Sequence, residues 1–227
     1  MAKKENPPLE RGQTFYGPDR TIDTADLGGV TLEGMEWEFE DLNYSDTGSK
    51  TLRSGRLVKC RLVRNASGSA LLPRRAVIYQ ETAGNFGKRV DGMGNLTADM
   101  IAGIVDEWLP TAGVRANDLF WITVEGPTEC LPDLAGAANN VFSIGDPIIA
   151  LTAETSQSST AANATTAGRI RPVAPAGVGL AALTATSTQT TDGTMASMIA
   201  NMLGRALSAR TTANTTLAVL INMRPLW

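Results

Sequence analysis

Asp106-Glu107-Trp108 is the first place in this 227-residue chain to look for chemistry, because it sets two adjacent carboxylates beside an indole. An apolar neighbour raises a carboxyl pKa, and two carboxyls with separated pKa values are what glycoside hydrolysis uses. Neighbouring carboxylates at a strand end are ordinarily solvated, however, and the pair alone does not predict catalysis. Asp19, Asp23 and Asp26 resemble a loose cation site but lack the Asp-x-Asp-x-Asp-Gly order of an EF-hand loop. Gly92-Met93-Gly94 and Gly177-Val178-Gly179 have neither the third glycine nor the following helix of a dinucleotide site, and read as turns. No P-loop or nucleophile elbow occurs. Histidine is absent, which excludes a Ser-His-Asp triad, a Cys-His dyad and any metal centre that relies on imidazole. The residues therefore predict no catalytic group, no metal and no cofactor.

Charge carries more information than any motif. The net charge is −3 with a pI near 5.1, so the molecule as a whole has no electrostatic reason to seek nucleic acid. Residues 19–46 hold nine acids and one base, and residues 50–75 hold eight bases and no acid. These adjacent blocks either lie against each other or each face a partner of opposite sign. Arg74-Arg75, after Leu71-Leu72-Pro73, can grip a phosphate or carboxylate, although proline favours a turn with two exposed arginines. Cys60 and Cys130 are too few for a disulfide framework or thiolate metal cage and read as buried, reduced thiols, with a single bridge as the alternative.

The N-terminus is charged and then broken by Pro7 and Pro8, unlike a signal peptide, and no run approaches a membrane span. The expected location is a reducing cytoplasm or a particle assembled there. The sequons at Asn43, Asn65, Asn95, Asn163 and Asn214 then follow from an Asn/Thr/Ser-rich composition.

The elements that would position these groups are mostly strands. Met35 to Glu40 alternates apolar and acidic residues with period two, which buries Met35, Trp37 and Phe39 and turns three glutamates away. In Gly55 to Arg64, Val58, Cys60 and Leu62 share one face while Lys59 and Arg61 take the other, so glutamates and bases can pair across strands. Further strands are predicted at residues 76–80, 101–105, 119–125, 147–152, 177–183 and 217–223, separated by turns such as Asn65-Ala66-Ser67-Gly68. About eight short strands predict a mainly β protein with a sandwich or barrel-like core. Met195, Met198, Ile199, Met202, Leu203, Ala206 and Leu207 follow helical spacing and predict one short C-terminal helix. Residues 1–34, rich in proline and glycine, read as an extended arm with Pro7, Pro8, Phe15 and Tyr16 as contacts to a neighbouring surface. Residues 35–227 form the core domain. Residues 151–227 include 16 Ala, 15 Thr and 6 Ser, a composition suited to short strands, turns and subunit contacts, with mobile loops near 155–166 and 184–194.

The run Gly55-Arg-Leu-Val-Lys-Cys-Arg-Leu-Val-Arg-Asn-Ala-Ser-Gly-Ser-Ala-Leu-Leu-Pro-Arg-Arg-Ala-Val resembles the strand, Asn-x-Ser-Gly turn and Leu-Pro-x-Arg-x-Val strand of decoration (cement) proteins on tailed-bacteriophage heads. Segments at Ala102–Pro110, Asn117–Pro127, Gly145–Leu151, Gly204–Leu207 and Leu217–Trp227 are similar in style. The resemblance implies a β-rich homotrimer on the outer surface of an icosahedral head, assembled in the host cytoplasm, that ties major capsid subunits together. With the acidic net charge and the lack of a long apolar run, neither nucleic acid nor membrane is expected as a partner. Lys59, Arg61, Arg74 and Arg75 join the arm residues as candidate capsid or subunit contacts. The alternatives are another phage part, such as a tail or head-fibre base, a glycan-binding domain built on Trp108 and Trp121, or a carboxylate hydrolase using Asp106 or Glu107.

Overall fold

A computed structural model describes residues 7–15, 32–44, 50–80, 87–93, 101–132, 142–150, 168–172, 202–209 and 216–222. These contain ten strands: β1 (Glu36–Tyr44), β2 (Lys50–Asn65), β3 (Ala76–Tyr79), β4 (Arg89–Gly92), β5 (Ile101–Val105), β6 (Leu119–Cys130), β7 (Pro147–Ala150), β8 (Ile170–Pro172), β9 (Met202–Ala206) and β10 (Leu217–Asn222). The protein is mainly β, and every predicted strand that falls on described residues is a strand. The predicted strand 177–183, the loops 155–166 and 184–194, Tyr16 and the aspartates at 19, 23 and 26 lie outside the described residues.

The sheet order is β1-β2-β4-β3-β5-β6-β10-β9-β7-β8, and β2 also pairs with β6. That extra pairing closes β2, β4, β3, β5 and β6 into a ring. Each of the five sends apolar side chains to one buried cluster, which includes Val63, Val90, Val77, Val105 and Phe120. The outer faces of β3 and β5 supply Ala76, Ile78, Ile101 and Ile104 to a second cluster, completed by β7 to β10 and by Cys130 at the end of β6. A third cluster fills the space between β2, β6 and the N-terminal residues, with Val58, Cys60, Leu62, Leu119 and Trp121 at its centre.

Strand β6 shows why its sequence is apolar on both faces. Phe120 and Ile122 point into the ring while Leu119 and Trp121 point to the third cluster, as period-two alternation requires. Polar turns are built from side chains as well as backbone. Asn65 is buried, its amide donating to the carbonyls of Ser69 (3.0 Å) and Val114 (2.9 Å) while its Oδ1 accepts from the Ser67 amide (2.9 Å) and hydroxyl (2.7 Å). Its sequon is thus inside the protein. Cys60 and Cys130 are both free and buried.

Two expectations are corrected. The C-terminal part of the predicted helix is strand β9. Opposite β7 its register runs Arg205↔Pro147, Gly204↔Ile148, Met202↔Ile149, so Leu203 is an extra residue in a bulge. The bulge puts Leu203 and Ala206 on the same buried side, three residues apart, which imitates a helical period. The second correction concerns residues 7–15 of the predicted arm, expected to contact a neighbouring surface. Residues 7–15 lie on the chain's own core: Leu9 is buried, Phe15 exchanges backbone hydrogen bonds with Leu119 (2.9 and 3.2 Å), and the Trp121 indole donates to the Leu9 carbonyl (2.9 Å). Phe15 is an anchor, as expected, but to its own β6.

Candidate functional site

Among the described residues a dense group of chemically capable side chains surrounds Asp106 and Glu107, and it is enclosed. Asp106 follows β5 and is 1% exposed; Glu107 is 2% exposed. Arg11, from the N-terminal strap, donates to Asp106 Oδ1 through Nε (3.1 Å) and Nη2 (2.9 Å), and to Glu107 Oε1 (3.2 Å). The Gly12 amide donates to the other oxygen of Asp106 at 2.6 Å. From the opposite side Arg53 binds Glu107 in two-point fashion, at 3.0 and 2.8 Å, and its Nε donates to Asp41 at 2.9 Å. The Ser54 hydroxyl donates to Asp41 (2.6 Å) and the Glu129 amide to Glu107 (3.1 Å). Arg74 lies 3.4 Å from the Glu129 carboxylate at the edge of this network.

A bulge in the β1–β2 ribbon aims Arg53 at these acids. Glu40 pairs with Leu57 and Leu42 with Leu52, so Arg53 to Arg56 stand opposite Asp41 alone. Four carboxylates and three arginines thereby join strap, ribbon, the turn after β5 and the end of β6. Burial opposes charge on Arg11, yet Asp106 and Glu107 outweigh it and hold the guanidinium above its ordinary pKa. The same balance, with Glu107 and Asp41 as counter-ions, raises Arg53. Burial raises the Asp106 pKa; Arg11 and the Gly12 amide offset only part of that. Trp108 lies under Arg53, whose guanidinium carbon is 6.0 Å from the ring centre. The arrangement clamps segments together, and its carboxylates at Asp41, Asp106, Glu107 and Glu129 do not line the open cleft described below.

The two charge blocks meet. Glu36 is opposite Arg61 and Glu38 opposite Lys59 in the β1–β2 register. Lys59 reaches Glu36 at 2.7 Å and Arg61 reaches it at 2.5 Å, which together hold the Glu36 carboxyl below its ordinary range despite partial burial. Arg61 also donates to the Tyr79 hydroxyl, and Arg64 to Glu33. Lys59 and Arg61 are therefore half-buried and ion-paired within the chain. Arg74 takes a left-handed turn (φ 62°) after Pro73 and is half-buried. Arg75 is buried, which corrects the expectation of two exposed arginines; that burial, with the neighbouring charge of Arg169, pulls its pKa down to about 10. Of the arm residues, Pro8 is exposed and Pro7 half-buried.

Among the described residues, a cleft of about 310 Å³ lies open on the polar face of β1, β2, β6 and β10. Glu38, Lys59, Glu125 and Asn222 cross its floor in one row of paired positions, with Leu57 and Arg56 at one side. Among the described residues no group of three or more Cys, Asp and Glu could hold a metal ion, and no helix is long and apolar enough to cross a membrane.

No protein-family model, curated protein or solved structure matches this chain.

The ion network was invisible in the sequence because Arg11 is 95 residues from Asp106 and Arg53 is 54 from Glu107. The one available signal was the pair of opposite charge blocks.

Proposed function

We propose that this chain is a structural assembly protein, and that it serves as a decoration (cement) protein of a tailed-phage head. In this reading it sits as a homotrimer on the outer shell and ties major capsid subunits together. The observation that carries it is the disposition of polar groups. The acids best suited to chemistry are sealed in a clamp, while the accessible features among the described residues include a strand edge, a shallow polar cleft and the exposed Leu52, Leu57, Ile144 and Leu207. The resemblance of the Gly55 to Val77 run supports the finer assignment, since its strand, Asn-x-Ser-Gly turn and Leu-Pro turn are built as one structural unit. Shallow contacts repeated over many copies stabilise a shell without a single tight site. Against the alternatives, Trp121 is fully buried and offers no stacking face to a glycan. A hydrolase using Asp106 and Glu107 would have to dismantle the Arg11 and Arg53 pairs first.

The test is the mass of the purified protein in solution, followed by cosedimentation with emptied, expanded heads. The expected result is a species of three times the 24.0 kDa chain mass that pellets saturably with shells. A monomer that stays in the supernatant overturns the proposal. Arm truncations in this assay should stop before Pro7, because Leu9 and Arg11 belong to the fold.

A further inference from the structure

Strand β1 ends the sheet order, and among the described residues its nine-residue outer edge is paired with no other strand. A bare edge of this length is a template for another strand, and charged side chains decide which strand it accepts. Glu36, Glu38 and Glu40 project on one face of β1 and all are exposed. Glu36 is neutralised by Lys59 and Arg61, whereas Glu38 and Glu40 make no ion pair among the described residues. On the inner edge two of the three glutamates stand opposite bases, Glu36 facing Arg61 and Glu38 facing Lys59, while Glu40 faces Leu57. Pairing two copies through β1 would instead set glutamate beside glutamate, which like-charge repulsion disfavours. The intervening segment 16–31 carries three aspartates and one arginine, the wrong sign as well.

We infer that the outer edge of β1 is a docking edge for an extended, basic strand of a partner protein, added to the sheet with its Lys or Arg side chains opposite Glu38 and Glu40. The backbone edge supplies the hydrogen bonds and the two free carboxylates supply the choice of partner. The inference rests on the proposed function only in taking that partner to be a shell subunit.

The probe is a fluorescent nine-residue peptide copying residues 56–64 with serine in place of Cys60, which is the strand that already complements β1. An acidic version with every Lys and Arg replaced by Glu serves as control. Binding is read by anisotropy, and its position by amide hydrogen exchange over residues 36–43. Saturable, salt-weakened binding of the basic peptide only, with new protection in β1, is expected. The double variant Glu38→Lys/Glu40→Lys should weaken it roughly ten- to thirtyfold, because the attraction of both positions for the four bases of the peptide becomes repulsion. Both positions are exposed, so the variant should fold, and Glu38→Gln/Glu40→Gln should fall between it and the parent. No saturable binding, equal binding by the charge-reversed variant, or protection confined elsewhere overturns the inference. The shell assay separates the two proposals. Shells bound equally by parent and charge-reversed protein overturn the docking edge and leave shell binding intact. Peptide capture by a protein that ignores shells overturns the shell assignment and leaves the edge intact.

Discussion

Replacing Arg11 with methionine keeps the apolar stem of the side chain and deletes its guanidinium and charge. The structure sets the size of the effect. The guanidinium is 1% exposed and faces carboxylates that are 1% and 0% exposed. Glu107 keeps both bonds from Arg53 and the Glu129 amide, but Asp106 is left with the Gly12 amide at 2.6 Å and a marginal 3.5 Å contact to the Trp108 amide. Breaking a buried pair in this way costs about 3 to 5 kcal/mol. The variant should lose that much in urea denaturation at pH 7, and the Trp121 indole, bonded to Leu9, should exchange its proton faster as the strap loosens. The pH dependence gives a sharper check. Asp106 is already above its ordinary pKa through burial, and losing Arg11 removes the main force holding it down. A carboxyl raised in the folded state favours folding below its unfolded pKa of 3.8, and that contribution disappears as pH rises through the folded value. The deficit of Arg11→Met should therefore shrink as pH falls from 7 towards 4. A loss under about 1 kcal/mol at pH 7, the range of an exposed pair, or a deficit unchanged by pH, would refute the claim that Arg11 neutralises buried charge.

Three further outcomes follow from other parts of the molecule. A Cβ on Gly204 would lie 1.9 Å from the Leu220 carbonyl oxygen, whereas one on Gly55 meets nothing within 4 Å. Gly204→Ala should cost about 3 kcal/mol and lower Tm by roughly 6 to 12 °C, with Gly55→Ala near the parent in the same melt; equal Tm values would contradict the close β9–β10 approach. Burial pushes the Cys60 thiol from its ordinary 9 to about 12 and raises Cys130 as well. Both should resist a thiol reagent at pH 8 until urea unfolds the chain. Thiols raised on folding contribute stability that is intact below pH 9 and is lost as pH rises towards 12, so Cys60→Ala should flatten the alkaline fall; prompt native labelling would deny the burial. Glu36 is held low by Lys59 and Arg61, so its contribution is present above its ordinary 4.5 and fades as pH falls below it. Glu36→Gln should make the acid limb of a pH–stability curve shallower, and an unchanged limb would show that the pairs contribute nothing.

The strands were legible wherever one rule governed the residues. Period-two alternation in Met35 to Glu40 and in Val58 to Leu62 marked both faces correctly, because each strand has a polar side and an apolar side. The pairing of the acidic block with the basic block was one of the two arrangements their adjacency allowed. Reading failed where two effects produce the same pattern. Leu203 and Ala206 suit a helix turn or a bulged strand equally well, and only the closeness of Gly204 to Leu220 distinguishes them. It failed again at Asp106 and Glu107, whose burial depends on arginines supplied by distant segments, and at Arg75, which looks solvent-bound beside Arg74 yet sits under neighbouring chain. Residues 7–15 carry no period that marks them as packed, because the two residues that hold them, Leu9 and Arg11, are isolated between proline and glycine.

Strand β6 borders all three apolar clusters, and this bears on how the chain can be cut. A fragment ending after Pro132 would retain the closed ring yet strip the cover from Ala76, Ile78, Ile101, Ile104 and Cys130. The complementary fragment would keep β7 to β10 without β6, one of the two strands paired with β10. Each piece would bare an apolar face that the other covers, so the ring and the C-terminal strands are best made and purified together, with fusion partners at the ends of the chain rather than between its halves.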